Sequence, residues 1–444
     1  MKTIFAKIII AFFIFLLMPT ALSVDAESEY LFKQFYFSGY LNTESVVMLE
    51  YNKNHFDNNA LTSIWSGIEE ILLKTERNFS ISQTPYMASY KIDKSKLMLI
   101  NERSGTGEKT TVDQDFIDLI KLAVEVAEAT NGGFDPTIGP LTTLWKISEL
   151  SEYCRTDSMD YDAERCEIPT DDEINKAIQK IDYTSIEIDE TEMTVYLPNP
   201  GMKLDLGAIA KGFAADKVTE YLISQGFHFF MISLGGNAYN YGESILYPGK
   251  SETVLTNPFG GDYLLKLFGN SQTIVTSGVY ERYIEVGTDI YHHLLNPKTG
   301  YPFDNNLMSV SIVVDYKEGF YASAFADAFA TGIFALGLEE GLAYGESRPD
   351  MEAIAVTKDK KVYATSNLDF KAEKGLTEDF ELYVGGEKID LKPVPVDPTD
   401  PEDPSPYDPT QDLLIALIFI VIGFGATVLL VYTLRKPKNK TKEE

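Results

Sequence analysis

The chain has 444 residues, of which 44% are hydrophobic and 12% aromatic, so it can bury one large core or two of ordinary size. Its formal net charge of -29 argues against nucleic acid as a partner, because affinity for the phosphate backbone comes mainly from Lys and Arg. Any nucleotide ligand must therefore be small and held by a local cluster of positive charge.

The N-terminal segment has the three parts of a secretory signal peptide. Lys2 and Lys7 form the charged start, residues 8–17 are apolar, and small residues follow up to Ala26. We predict a signal peptide over residues 1–26, with an uncleaved N-terminal anchor as the alternative. The folded unit is then expected over residues 27–392.

The first strong helical pattern begins at Asp115, in "DFIDLIKLAVEVAEAT". Its apolar residues recur at helical spacing, and Asn131-Gly132-Gly133 is expected to end the helix. The residues predicted to share the buried face are Phe116, Ile120, Ala123, Val124 and Ala127.

The only two cysteines, Cys154 and Cys166, follow this helix. In an exported chain, a close pair of cysteines forms a structural disulfide more often than a metal or redox site. Because no cluster of Cys and His surrounds them in the sequence, a zinc site has little support. We predict a disulfide that closes a local loop.

Strands and helices then alternate irregularly. Residues 192–197 and 227–234 are predicted to be strands, and residues 207–226 a helix that ends before the second of them. The absence of a regular strand-helix-strand repeat in this sequence favours the α+β class.

The stretch from Asp205 to Gly212 is predicted to pass from a strand into the start of that helix. Neither of the two common glycine-rich nucleotide loops occurs in the sequence, so any phosphate would need another binding site. Exposed N–H groups at a helix start, with Lys211 one turn in, are suited to a pyrophosphate. Simple packing of Gly207 and Gly212 is the alternative.

The segment "ASAFADAFATGIFALG" places Asp327 and Thr331 four residues apart, on one face of a predicted helix. A carboxylate among small apolar residues needs a cation or strong hydrogen-bond donors, and a carboxylate with a hydroxyl suits Mg²⁺. From the spacing alone, an Asp hydrogen-bonded to a loop is an equally good interpretation.

The C-terminal region is predicted to anchor the protein in a membrane. Residues 393–412 are rich in Pro and Asp and are expected to form an extended linker. Residues 413–434 contain no charge and match the length of a transmembrane helix, and the tail 435–444 is basic. Because positive residues stay in the cytoplasm, we expect a single-pass protein of the cell membrane with an extracellular catalytic domain.

Four segments together resemble the ApbE family of FAD:protein FMN transferases, over about residues 35–367. They are "GGFDPTIGPLTTLW", "LDLGAIAKGFAADKV", "TSGVYERYIEV" with "YHHLLNPKTGYP", and "ADAFATGIFALG". The resemblance implies an α+β fold of the T-fold type. It also implies Mg²⁺-dependent transfer of FMN from the substrate FAD to a Thr of an acceptor redox protein, with release of AMP.

The resemblance also assigns residues to the site. It implies that His293 and Asp327 take part in catalysis, and that Ala208 (through its carbonyl), Asp327 and Thr331 hold the metal. The residues implied to contact FAD are Asn101, Gly133, Phe134, Asp135, Lys211, Thr276, Ser277 and His293. Of the adjacent pair, His293 is expected to be functional, and His292 to belong to the strand that presents it.

Two other functions are compatible with these residues. The same site with water as the acceptor would be a Mg²⁺-dependent FAD pyrophosphatase that yields FMN and AMP. A flavin-binding receptor without turnover is the third possibility, although a pure binding protein has no need of Asp327, Thr331 and His293 together.

Overall fold

The computed structural model of the protein describes residues 28–391. The predicted signal peptide, linker, transmembrane helix and basic tail all lie outside these residues. Within residues 28–391, no helix has both the length and the apolar character needed to cross a membrane.

The described residues form a mixed α and β structure. The strands are β1 (Tyr30–Ser38), β2 (Glu44–Asn52), β3 (Thr110–Thr111), β4 (Glu187–Asp189), β5 (Thr194–Tyr196), β6 (Phe230–Leu234), β7 (Asn237–Tyr241), β8 (Glu252–Leu255), β9 (Leu265–Phe268), β10 (Ser271–Gly278), β11 (Tyr283–Val286), β12 (Asp289–His292), β13 (Leu307–Asp315), β14 (Glu352–Thr357), β15 (Lys361–Ala364), β16 (Phe370–Ala372), β17 (Glu381–Val384) and β18 (Glu387–Ile389). The helices are α1 (Asn58–Phe79), α2 (Pro85–Ser89), α3 (Lys96–Glu102), α4 (Gln114–Ala129), α5 (Gly139–Trp145), α6 (Ile147–Leu150), α7 (Asp171–Ile178), α8 (Ala210–Ser224), α9 (Ala322–Leu336), α10 (Leu338–Glu346) and α11 (Lys374–Asp379). Short 3-10 turns cover Tyr40–Asn42, Ala163–Arg165 and Tyr183–Ser185.

The main sheet has ten strands in the order β1-β2-β6-β7-β10-β13-β14-β15-β17-β18. Its neighbours are antiparallel except for β15 and β17, which run parallel. A three-stranded sheet of β16, β9 and β8, a three-stranded sheet of β3, β5 and β4, and the hairpin of β11 and β12 complete the described strands. This largely antiparallel arrangement confirms the prediction of mixed α and β structure without a regular strand-helix-strand repeat.

Strand β13 lies in the middle of the main sheet and is buried on both faces. Successive side chains of a strand point to opposite faces, so Ile312 and Val314 pack into the core formed with α4, α8 and α9. Val313 instead packs with the cluster that includes Leu265 and Leu267 of β9. Helices therefore cover one face of the sheet here, and the sheet of β8, β9 and β16 covers the other.

Helix α9 is buried on almost all sides, as its sequence of Ala and Phe indicates. It packs against α8 at Gly212, where a Cβ atom would lie 2.1 Å from the carbonyl oxygen of Ser323. Because no side chain fits in that space, the backbones of the two helices approach each other directly at this point.

The structure confirms most of the helices and strands predicted from the sequence, with shifted ends. Helix α4 begins after Asp113, whose carboxylate accepts the N–H of Phe116 at 3.0 Å as an N-cap. Val124 is only partly buried, and Val126 occupies the core position instead.

The predicted passage from a strand into α8 is wrong. Lys203 forms only an isolated bridge with Ile138, and the N–H of Asp205 donates to the carbonyl of Pro136 at 2.9 Å. Because these single contacts replace a ladder of strand hydrogen bonds, residues 205–209 form a loop and turn. The helix itself begins at Ala210.

The predicted disulfide between Cys154 and Cys166 is confirmed. Both cysteines are buried in a small core with Trp145 of α5 and Ile284 of β11. A hydrogen bond joins the loop closed by the disulfide to the β11–β12 hairpin: the N–H of Glu285 donates to the carbonyl of Cys154 at 2.6 Å. The disulfide thus stabilises a loop that supports the hairpin preceding His293.

Candidate active site at the start of helix α8

The loop before α8 is fixed by a side chain distant in the sequence. The amide of Asn101 donates to the carbonyl of Leu204 at 2.9 Å and accepts the N–H of Leu204 at 2.6 Å. Asp205 then closes a turn by accepting the N–H of Gly207 at 2.9 Å. Asn101, predicted to contact FAD, therefore uses both ends of its amide to hold this loop.

Lys211 and Asp327 meet at the first turn of α8. The Nζ atom of Lys211 lies 3.6 Å from Oδ1 of Asp327 and donates to the carbonyl of Gly207 at 3.1 Å. Oδ2 of Asp327 accepts the N–H of Gly212 at 2.9 Å. Asp327 is only 3% exposed, so these donors stabilise a carboxylate that would otherwise be costly to bury.

The carbonyl of Ala208 is available for a further ligand. In a regular helix start it would accept the N–H of Gly212, but that N–H donates to Asp327 instead. Within the described part of the chain, the Ala208 carbonyl accepts no hydrogen bond. An unpaired carbonyl beside a buried carboxylate is a combination that a hard cation can bind.

Thr331 joins the same face of α9, one turn after Asp327. Its hydroxyl lies 3.2 Å from the hydroxyl of Ser277 on β10. The neighbouring Thr276 points the other way and pairs with the hydroxyl of Ser311 on β13 at 2.7 Å. Of the two β10 residues predicted to bind FAD, the structure therefore brings only Ser277 into contact with a predicted metal ligand.

The two adjacent histidines have different surroundings. His292 ends β12 and is buried, with Nε2 donating to the carbonyl of Phe303 at 3.0 Å. His293 follows the strand, and its Nδ1 donates to the carbonyl of Arg282 at 3.1 Å. Because a carbonyl can only accept, Nδ1 of His293 carries the proton and Nε2 is left as an acceptor.

The surroundings of His293 keep its ring neutral. His293 as a whole residue is only partly exposed, and protein atoms surround its ring. This desolvation, together with the positive charges of Arg282 and Lys211, lowers the pKa of His293 to about 3. At neutral pH, His293 is therefore an uncharged imidazole whose Nε2 can accept a hydrogen bond, and in the empty site it is a weak base.

Glu281 and Arg282 also belong to this region, and sequence reasoning missed both. Desolvation raises the pKa of Glu281 to about 7, against the opposing charges of Lys211 and Arg282, and the nearby Asp327 raises it further. The sequence signal was a pair of charged residues that lies three and four positions after the end of the buried strand β10.

The turn after α4 holds the three remaining predicted FAD contacts. Phe134 is buried in the main core, and a Cβ atom on Gly133 would lie 2.9 Å from the Cβ of Ala335. Oδ1 of Asp135 accepts both the N–H and the hydroxyl of Thr137, at 2.7 and 2.6 Å. Burial raises the pKa of Asp135 to about 6. These contacts organise the turn, and none of them reaches Lys211 or Asp327.

The described residues contain no group of three or more His, Cys, Asp or Glu side chains placed to hold a metal ion. The predicted set has a different composition, with one carboxylate, one hydroxyl and one backbone carbonyl. Such a set leaves coordination positions for water and phosphate oxygens, as is usual for Mg²⁺ in phosphoryl-transfer sites.

Comparison with known proteins identifies relatives over most of the described structure. The model of the ApbE family matches residues 64–355. The protein is 35% identical over 275 residues to the FAD:protein FMN transferase of Klebsiella pneumoniae strain 342, covering 61% of this chain and 78% of that relative. It is 30% identical over 314 residues to the FAD:protein FMN transferase of Treponema pallidum strain Nichols, covering 67% of this chain and 81% of that relative.

Solved structures share the fold. The crystal structure of the ApbE protein from Thermotoga maritima superposes with a TM-score of 0.61 at 25% identity, covering 79% of this chain and 99% of that one. The flavin transferase ApbE from Vibrio cholerae superposes with a TM-score of 0.58 at 22% identity, covering 79% of this chain and all (100%) of that one. Because the identity to the Vibrio cholerae protein is only 22%, that similarity supports the fold alone.

Proposed function

The chain belongs to the ApbE family, and from this membership we propose that it transfers FMN from FAD to a Thr of an acceptor redox protein and releases AMP. The observation that carries the proposal is the convergence of Lys211, the Asp327 carboxylate and the unpaired Ala208 carbonyl at the start of α8. A pyrophosphate bound here would contact the positive charge of Lys211 and a metal ion held by the oxygen donors.

Mg²⁺ is proposed as the cofactor because the donors fit it. A pyrophosphate and the Asp327 carboxylate are both anionic, so they repel each other unless a cation lies between them. The Ala208 carbonyl, Asp327 and the Thr331 hydroxyl are hard oxygen donors that would hold Mg²⁺. When bound, the ion would neutralise the phosphate oxygens and leave the phosphorus open to attack.

The protein residues would then have separate roles. Lys211 would bind phosphate oxygens by its charge, and the positive end of the α8 dipole would favour them. Nε2 of His293 would accept the proton of the acceptor Thr hydroxyl as its oxygen attacks the FMN phosphorus, because the negative charge of the bound phosphates would raise the low pKa that His293 has in the empty site. The bond from that phosphorus to the bridging oxygen breaks, AMP leaves, and a phosphoester joins FMN to Thr.

We further propose that the catalytic domain lies on the outer face of the cell membrane. The supporting features are the predicted signal peptide, the apolar segment 413–434 and the basic residues that follow it. The Pro-rich residues 393–412 would separate the domain from the membrane, so that it can reach acceptor proteins at the surface.

The function is tested with FAD, MgCl₂ and an acceptor peptide that carries Thr, with AMP and peptide-bound FMN measured by mass spectrometry. We expect both products from the wild type and neither after EDTA treatment. Asp327→Ala should abolish transfer, whereas His293→Ala should slow it and retain much of the FAD affinity. The His292→Gln variant is the matched control for the second substitution.

The outcomes separate the possible functions. AMP without flavinylated peptide, for every acceptor offered, would identify a pyrophosphatase. FAD binding with no AMP under any condition would identify a receptor. Equal AMP release from the wild type and Asp327→Ala would contradict the assignment of the metal ligand.

A further inference from the structure

Helices α8 and α9 each carry an aspartate that accepts N–H groups from the first turn of the other helix. Asp216 of α8 accepts the N–H of Ser323 at 2.9 Å on Oδ1 and the N–H of Ala324 at 2.8 Å on Oδ2. Asp327 of α9 accepts the N–H of Gly212, in the first turn of α8, at 2.9 Å. Each helix therefore supplies the side chain that caps the other.

Neither helix has a capping side chain of its own. Ile209 precedes α8 and Tyr321 precedes α9, and neither side chain makes a capping hydrogen bond. The free N–H groups of a helix start need partners when they are buried. The two aspartates meet this need across the interface, so the capping of one helix depends on the position of the other.

Asp216 is not accessible to a ligand. Its side chain is 3% exposed, and each of its oxygens already accepts a backbone N–H. It can affect the site only through the helix that it caps. That helix carries Asp327 and Thr331, four and eight residues after Ser323 in the sequence.

The exchange also orients the Asp327 carboxylate. Because Gly212 holds Oδ2, Oδ1 is the oxygen that faces Lys211. If α9 moved along α8, the N–H of Gly212 would lose Asp327 and could return to the Ala208 carbonyl. The same displacement would thus remove two of the proposed metal donors at once.

We propose that Asp216 is a positioning residue, which fixes α9 against α8 so that Asp327, Thr331 and the Ala208 carbonyl converge on one cation. This inference rests on the proposed function, in which these three groups hold Mg²⁺. Asp216 itself contacts neither the metal nor the substrate. Its effect should therefore be seen in metal affinity rather than in the chemical step.

The test substitutes Asp216→Asn. Asparagine has the same size but only one side-chain oxygen, so one N–H of α9 loses its acceptor and faces an NH₂ group. The control is Thr219→Val, one turn later on the same helix, where the buried hydroxyl makes no hydrogen bond within the described part of the chain. Both variants are first checked for cooperative thermal unfolding.

Metal affinity is measured with Mn²⁺ in place of Mg²⁺, by the EPR signal of free Mn²⁺ in the presence of FAD, and so independently of turnover. For Asp216→Asn we expect the Mn²⁺ Kd to rise roughly 10-fold or more, as for other residues that orient metal ligands. The Mg²⁺ concentration for half-maximal AMP release should rise by the same factor, with kcat recovering at saturating Mg²⁺. Thr219→Val should retain the wild-type Kd.

A purely structural role predicts a different result, namely a lower melting temperature with an unchanged Mn²⁺ Kd for the folded variant. That result would overturn the inference and leave the proposed function standing. If the wild type binds no Mn²⁺ in the presence of FAD, this inference and the metal site of the proposed function fail together. If Asp216→Asn does not fold, Asp216→Ser is measured in its place, and failure of both to fold would overturn the inference, because Asp216 would then serve the stability of the whole domain.

Discussion

The close approach of α8 and α9 at Gly212 gives a testable prediction for Gly212→Ala. The added Cβ would lie 2.1 Å from the Ser323 oxygen, 2.5 Å from its carbonyl carbon and 2.7 Å from the Cα of Ala324. All three are backbone atoms, so no side-chain rotation relieves the overlap. The helices must separate by about 1.5 Å to reach ordinary van der Waals distance.

The expected loss of stability is the difference of two opposing effects. Overpacking of a closely packed interior costs about 1–3 kcal/mol, while replacing Gly by Ala in a helix gains about 1 kcal/mol. Separation of the helices also weakens the capping hydrogen bonds of Asp216 and Asp327, and such bonds contribute about 0.5–3 kcal/mol each, more when the carboxyl group is charged. We expect a net destabilisation of roughly 2–4 kcal/mol.

The measurement is urea unfolding followed by circular dichroism, with the midpoint and the slope fitted separately. Ser224→Ala, at the exposed end of the same helix, should change the free energy of unfolding by less than about 0.5 kcal/mol. The Gly212→Ala variant should also bind Mn²⁺ more weakly, because it displaces Asp327. An unchanged or higher urea midpoint for Gly212→Ala would refute the reasoning about the close approach.

Three further predictions follow from other regions. Replacing Cys154 and Cys166 together by Ser should lower the free energy of unfolding by up to about 3 kcal/mol and leave AMP release intact; loss of turnover in the folded variant would show that the thiols take part. Burial lowers the pKa of His292 to about 4, so between pH 6.5 and 4 the unfolded chain binds a proton that the folded protein does not, and stability falls as the pH falls. In urea titrations, the free energy of unfolding of His292→Gln should fall by up to about 3 kcal/mol less than that of the wild type over this pH range. An equal fall in the two proteins would contradict the lowered pKa of His292. Residues 28–391 expressed alone should be soluble and transfer FMN, and failure to fold would place the domain boundary elsewhere.

The sequence by itself determined the features that depend on neighbours along the chain. The spacing of Phe116, Ile120 and Ala123 fixed the buried face of α4, and Asp113 stands at its start. The alternation of Ala and Phe indicated the buried helix α9. The proximity of the two cysteines predicted their disulfide, because a short loop brings them within bonding reach.

Local patterns did not decide the loop before α8. Its residues have the composition of a strand end, and only the single contacts with Ile138 and Pro136 make it a turn. The motif identified these residues as important, but their hydrogen-bond partners depend on the packing of separate segments.

The tertiary structure alone decided the geometry of the site. Asn101 holds Leu204 across 103 residues of sequence, Asp216 caps α9 across 107, and Gly212 meets Asp327 across 115. No periodicity or motif spacing specifies such pairs, because a hydrogen bond depends on distances of a few ångströms that only the packed backbone sets. The sequence therefore determined which residue types are present for binding a metal and phosphate, and the crossing of α8 and α9 decided which of their atoms meet.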